Sequence, residues 1–101
     1  MRTLLTVTFP TDRFNELVRD GTIGEKIARA LEAIKPEAVY FTEQNGQRTG
    51  LIVADLAEAS RVPALAEPWF LTFNARVEFR TVMTPEDLRR SDLAALGKKW
   101  A

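Results

Sequence analysis

Histidine and cysteine are both missing from this 101-residue chain. Without imidazole there is no Ser-His or Cys-His nucleophilic pair and no histidine-ligated haem. No side chain then titrates near neutrality unless its pKa is perturbed. Acid–base chemistry would fall to a tuned Asp, Glu, Lys or Tyr. Without cysteine there are no disulfides, no thiolate nucleophile and no thiolate zinc site, and nothing demands an oxidising compartment. An excess of charge of either sign is absent too. Fourteen basic and fourteen acidic residues cancel, which removes the broad positive field that nucleic acid or an anionic membrane would require. Long apolar runs are also lacking. The opening MRTLLTVTFP alternates and stops at Pro10, short of a secretory core or a membrane span, so a cytoplasmic protein is expected.

The chain does have an ordinary globular balance, 46% apolar and 28% charged, and its length suits one domain over residues 1–101. Folding at this length buries roughly two thirds of the surface of the unfolded chain. Residues 3–9, TLLTVTF, alternate as a first strand, with Leu5, Val7 and Phe9 on one face and Leu4, Thr6 and Thr8 on the other. Thr11 is placed to cap a short helix ending at Gly21. Thr22 and Glu25 have capping-box spacing for a second helix that stops at Lys35-Pro36. Residues 38–56 predict a β-hairpin around Asn45-Gly46, a dipeptide that tolerates positive φ. Ser60 and Pro63 then start a helix that Pro68 is expected to end near Glu67. In the next strand Val77 and Phe79 alternate with Arg76, Glu78 and Arg80. Thr84-Pro85-Glu86-Asp87 opens a final helix, closed by Gly97.

Strand, helix, strand, strand, helix, strand, helix is the order of an α+β, ferredoxin-like βαββαβ domain with an added C-terminal helix. It predicts a four-stranded antiparallel sheet with helices on one face. With Pro68, Trp69 and Phe70 ahead of a last strand from Asn74, the chain resembles the dimeric α+β barrel proteins, in particular their muconolactone isomerase-like branch. That resemblance implies a homodimer or larger assembly. The stretches KPEAVYFTEQNG and ALAEPWFLTFNA are also similar to small bacterial proteins that carry a pantothenate synthetase label. That ligase chemistry needs a Gly-rich phosphate loop and a histidine motif, and this chain has neither. The haem and isomerase branches use histidines with no counterpart here, so no cofactor is expected.

Trp69, Phe70 and Phe73 are either core or the apolar wall of a small-molecule pocket between helices and sheet. Tyr40 lies on the opposite strand face from Phe41, and its hydroxyl is either structural or a ligand-orienting group. Glu43 and Arg48 flank the hairpin turn and predict a cross-strand ion pair. Arg76, Glu78 and Arg80 share one face of the last strand, where they either meet water or line a subunit interface. Tyr40, Trp69, Phe70, Asn74 and Arg76 are therefore the candidate ligand-binding residues, with Arg76 as anion partner. Tyr40 and Glu43 are the candidate catalytic groups, and Arg76, Glu78 and Arg80 the candidate interface. No acidic pair has metal-site spacing. The expected function is binding, by a homo-oligomer, of a small aromatic or carboxylate-bearing compound, with cofactor-free isomerisation or oxygenation as the possible chemistry. A non-catalytic oligomerisation or protein-interaction module is the alternative.

Overall fold

The computed structural model describes residues 1–101. β1 (Arg2–Thr8) is followed by α1 (Thr11–Arg19), α2 (Ile23–Ile34), β2 (Ala38–Gln44) and β3 (Gln47–Asp55). After a 3-10 turn at Ala59–Arg61 come α3 (Val62–Phe73), β4 (Arg76–Thr81), α4 (Pro85–Arg90) and α5 (Leu93–Trp100). The strands form one antiparallel sheet in the order β2-β3-β1-β4. No helix is long and apolar enough to cross a membrane.

The expected Asn45-Gly46 turn sets the hairpin. Both residues take positive φ, 54° and 79°, as a two-residue turn matched to strand twist requires. From that turn the register runs outward through Gln44–Gln47, Glu43–Arg48, Thr42–Thr49 and Phe41–Gly50. Alternation then sorts the side chains. Leu5, Val7, Ile52 and Ala54 face Leu17 of α1, Ala30 of α2, and Leu65, Trp69 and Phe73 of α3 in a single core, with Val77 and Phe79 packed against it. The helices α1 to α3 therefore cover one face of the sheet only.

Five local expectations are corrected. Thr11 does not cap α1: it is the first helical residue, and Pro10 stands at the N-cap with no side-chain bond. Pro68 does not end its helix, because α3 runs through it to Phe73. A mid-helix proline costs about 3 kcal/mol or more through its missing N–H and its ring clash. Leu65, Trp69 and Phe73, at i, i+4 and i+8, put an apolar stripe into the core, and each large side chain so buried returns about 1.5–3 kcal/mol. Asn74, in the left-handed conformation at φ 54°, ends the helix instead. Thr22 makes no capping box; its amide and hydroxyl both donate to Asp20 Oδ1, at 2.9 and 2.6 Å. Ser60 sits in the 3-10 turn and donates to Glu58 Oε1 rather than capping α3. The last helix is two helices. Asp92 at φ 56° breaks it and caps α5, and Gly97 lies inside α5 rather than closing it.

The capping box at Thr84 and Asp87 forms as expected. Neither α4 nor α5 buries a residue, and Leu93 and Trp100 are largely exposed. This arm stretches the molecule to 58 Å against 28 and 19 Å in the other directions. Its radius of gyration of 16.9 Å compares with about 13 Å for a compact chain of this length.

Candidate functional site

Two surfaces stand out: the sheet face with no helix on it, and a cleft at the hairpin end of the helix-covered side. The open face is set by register. Tyr40, Leu51, Thr6 and Glu78 form one row across the four strands; Thr42, Thr49, Thr8 and Arg76 form the next; Ala38, Val53, Leu4 and Arg80 the third. The β4 end of every row is charged. Glu78 sits between two cations, 3.7 Å from Arg76 Nε and 3.4 Å from Arg80 Nη2. All three are exposed, so these pairs add at most about 1 kcal/mol to the fold. At the β2 end Tyr40 is 69% exposed. In the middle, Thr6 is buried between its strand neighbours and its hydroxyl has no hydrogen-bond partner.

The cleft encloses about 330 Å3, and its lining includes Phe9, Phe14, Ile27, Phe41 and Arg48. Phe9 closes its floor. The Phe9 ring meets Phe14 edge-on at 5.1 Å and Phe73 at 5.2 Å, and Phe73 stacks on Trp69 at 5.6 Å. Four aromatics thus run from the cleft into the core. Phe41 lies over Gly50, its cross-strand partner. A Cβ at Gly50 would come within 3.3 Å of Phe41 Cε1, so the absence of a side chain there lets the ring lie close to the strand.

A second, larger groove of about 510 Å3 runs between α2 and α3, lined mostly by small side chains including Ala30, Ala33, Ala64 and Pro68. Leu71 on its rim is 79% exposed.

The sequence-predicted ligand residues do not meet at one point within the chain. Trp69 is fully buried in the core stack, and its indole N–H has no partner. Phe70, one residue on, is 41% exposed on the outer side of α3. Asn74 is the C-cap of that helix. Tyr40 and Arg76 lie on the open face at opposite edges of the sheet, in adjacent rows. The aromatics that do line a cleft, Phe9, Phe14 and Phe41, were not among the candidates. Counting outward from the Asn45-Gly46 turn pairs Phe41 with Gly50, and that pairing was the available signal.

Glu43 and Arg48 stand directly opposite each other, yet no ion pair joins them. Glu43 Oε2 instead accepts from the Gly46 amide at 2.9 Å and caps the turn. Arg48 reaches the other way. Its guanidinium lies 4.4 Å over the Phe14 ring, and Nη1 donates to Asn15 Oδ1 at 2.9 Å.

The three shifted titrations involve none of the candidate site residues. Hydrogen bonding to Glu37 and its charge hold the Arg2 guanidinium more firmly protonated. The Thr22 hydroxyl and amide hold the Asp20 carboxyl below its ordinary range. The Thr84 amide, then Arg90, does the same for Asp87. Each is a cap or an exposed ion pair. No three acidic side chains come together as a metal-holding group.

No protein-family model, no curated protein and no solved structure matches this chain. Its functional reading therefore rests on geometry.

Proposed function

We propose that this chain is a homo-oligomeric, small-molecule-binding protein of the ferredoxin-like, dimeric α+β barrel kind, assembled through the open face of its sheet. The sheet order β2-β3-β1-β4, with helical connections after β1 and β3, supports the ferredoxin-like reading. One observation carries the assembly: a whole sheet face, with Leu4, Leu51, Val53 and Tyr40 among its side chains, has no helix over it. An antiparallel sheet can leave one face to water or pack it on another sheet about 10 Å away, and the apolar side chains here favour the second.

A two-fold axis along the strands, midway between two such sheets, lays β4 of one copy over β2 of the other. Arg76 and Arg80 of one subunit then flank Tyr40 of the second. A guanidinium near a phenol face is favourable, and more so once water is excluded. Glu78, shared by both arginines, keeps the pairing from burying two bare cations. Tyr40 and Arg76 face the enclosed space in this arrangement, as hydrogen-bonding group and anion partner for a small aromatic or carboxylate compound. Were the protein an isomerase or a cofactor-free oxygenase, Tyr40 would be better placed than Glu43, which already caps the turn. Within one subunit both are exposed, so any burial that tunes them would come from assembly.

Light scattering on the untagged protein, alongside Tyr40→Glu, tests the assembly. The expected result is a dimer or larger for the native chain and a folded monomer, by circular dichroism, for the variant. A native monomer, or a Tyr40→Glu oligomer of unchanged size and dissociation constant, would overturn it. Tyr40→Phe tests the chemistry separately: against any substrate found, an unchanged turnover removes Tyr40 from the reaction.

A further inference from the structure

We infer that the cleft between Phe9, Phe14, Phe41 and Arg48 is a binding site for a planar aromatic carboxylate. It lies on the helix-covered side of the sheet, away from Tyr40 and Arg76, and does not depend on assembly.

The cation comes first. Arg48 has an acid directly opposite it across the hairpin, at the place where a cross-strand ion pair would form, and the two do not pair. Glu43 is committed to the Gly46 amide. Asn15, a neutral acceptor, takes only Nη1 of Arg48. The Nε and Nη2 hydrogens have no partner within the chain. That edge of a guanidinium grips a carboxylate through two parallel hydrogen bonds. Stacking on Phe14 at 4.4 Å and the bond to Asn15 hold the group in one orientation, which lowers the entropy lost on binding.

The walls come second. Phe14 is half-buried and Phe41 is 51% exposed, so two ring surfaces are only partly used by the fold. Phe9 beneath them is buried and braced by Phe73. A bare Gly50 under Phe41 keeps the ring close to the strand and the space in front of it clear. The volume of about 330 Å3 lies near the small end of the usual ligand-site range of about 300–1,000 Å3. A single-ring acid suits that size: its ring among three phenylalanines, its carboxylate on Arg48. A phosphate would satisfy Arg48 but leave the ring surfaces wet, and an uncharged arene would leave the guanidinium edge unpaired.

The test uses amide-resolved NMR titration of the 15N-labelled full chain with benzoate, benzamide and cyclohexanecarboxylate. Benzoate is expected to give saturable shifts centred on the amides of Phe9, Phe14, Arg48 and Gly50, with benzamide and cyclohexanecarboxylate both markedly weaker. Arg48→Lys keeps the charge and loses the two-pronged edge, and should weaken benzoate at least about tenfold. Arg48→Gln should abolish saturation. The exposed position of Arg48 lets both variants fold, which their spectra report directly. The site is overturned by any of three results: no saturable shifts with benzoate, benzamide binding as tightly as benzoate, or Arg48→Gln binding unchanged. Shifts centred instead on Thr8, Tyr40 and Arg76 would also overturn it, while leaving the open-face reading intact.

Discussion

The two faces of the sheet are cut from the same strands, with neighbouring residues sent to opposite sides, yet they solve different problems. On the covered face Leu5, Val7 and Ile52 are sealed under Trp69, Phe73 and Leu17. Every large group there is apolar except the indole N–H of Trp69, which has no partner. On the open face the rows run from Tyr40 through Leu51 and threonines to the Arg76–Glu78–Arg80 ladder. The covered face holds the chain together, and stability should respond to its shape. The open face mixes apolar with polar and charged side chains, a composition that adds little to the stability of the chain that carries it.

Substitutions can test that division. The largest effect is expected at Trp69→Ala, which empties the centre of the core and should cost about 3–5 kcal/mol by chemical denaturation. Trp69→Phe should cost under about 2 kcal/mol, because the lost N–H made no hydrogen bond. If Trp69→Ala leaves the unfolding midpoint unmoved, the aromatic stack is not the core. On the open face Tyr40→Glu should leave the intrinsic stability of the chain within about 0.5 kcal/mol and, under the proposed assembly, act on subunit number alone. A large loss of stability there would erase the contrast between the faces.

Thr6→Val is a finer probe. The hydroxyl is buried between strands without a partner, so an isosteric methyl should be neutral or stabilising by up to about 1 kcal/mol. Destabilisation by as much would mean the hydroxyl is hydrogen-bonded in solution, for instance to a bound molecule. The smallest effect belongs to the arm, which lies on neither face. The Asp87 carboxylate is held below its ordinary value of 3.8 by the Thr84 amide and Arg90. A depressed folded-state pKa stabilises above the ordinary value and loses that contribution as pH falls through the folded one. Helicity of α4 should therefore drop below about pH 4, with the two faces undisturbed. An unchanged loss of α4 helicity in Asp87→Asn would take this carboxylate out of the transition.

Much of this was legible from local pattern. Asn45-Gly46 announced its turn, the period-two alternation of residues 76 to 80 announced an amphipathic strand, and Thr84 with Asp87 announced a cap; each depends on residues within a few positions of one another. Thr22 and Ser60 were lost to equally local competitors, Asp20 and Glu58, two residues away, but the misreading at Pro68 has the opposite property. Pro68 is a helix breaker by its own chemistry and stays inside α3 because Leu65, Trp69 and Phe73 are buried by distant strands. Ser91-Asp92 reads as ordinary helix until Asp92 takes the left-handed conformation.

The candidate site divides the same way. Sequence alone determined the order of the elements as far as β4, the hairpin register, the charge ladder of Arg76, Glu78 and Arg80, and the exclusion of histidine and thiol chemistry, because composition and nearest-neighbour geometry suffice for these. Only the tertiary structure decided that Trp69 is core, that Thr6 is buried without a partner, and that Glu43 and Arg48 stand opposite each other without pairing. Those outcomes depend on which groups compete for one side chain. Gly46 claims Glu43 and Phe14 claims Arg48, and the cleft in front of Phe41 exists because the chain brings α1 within reach of the hairpin.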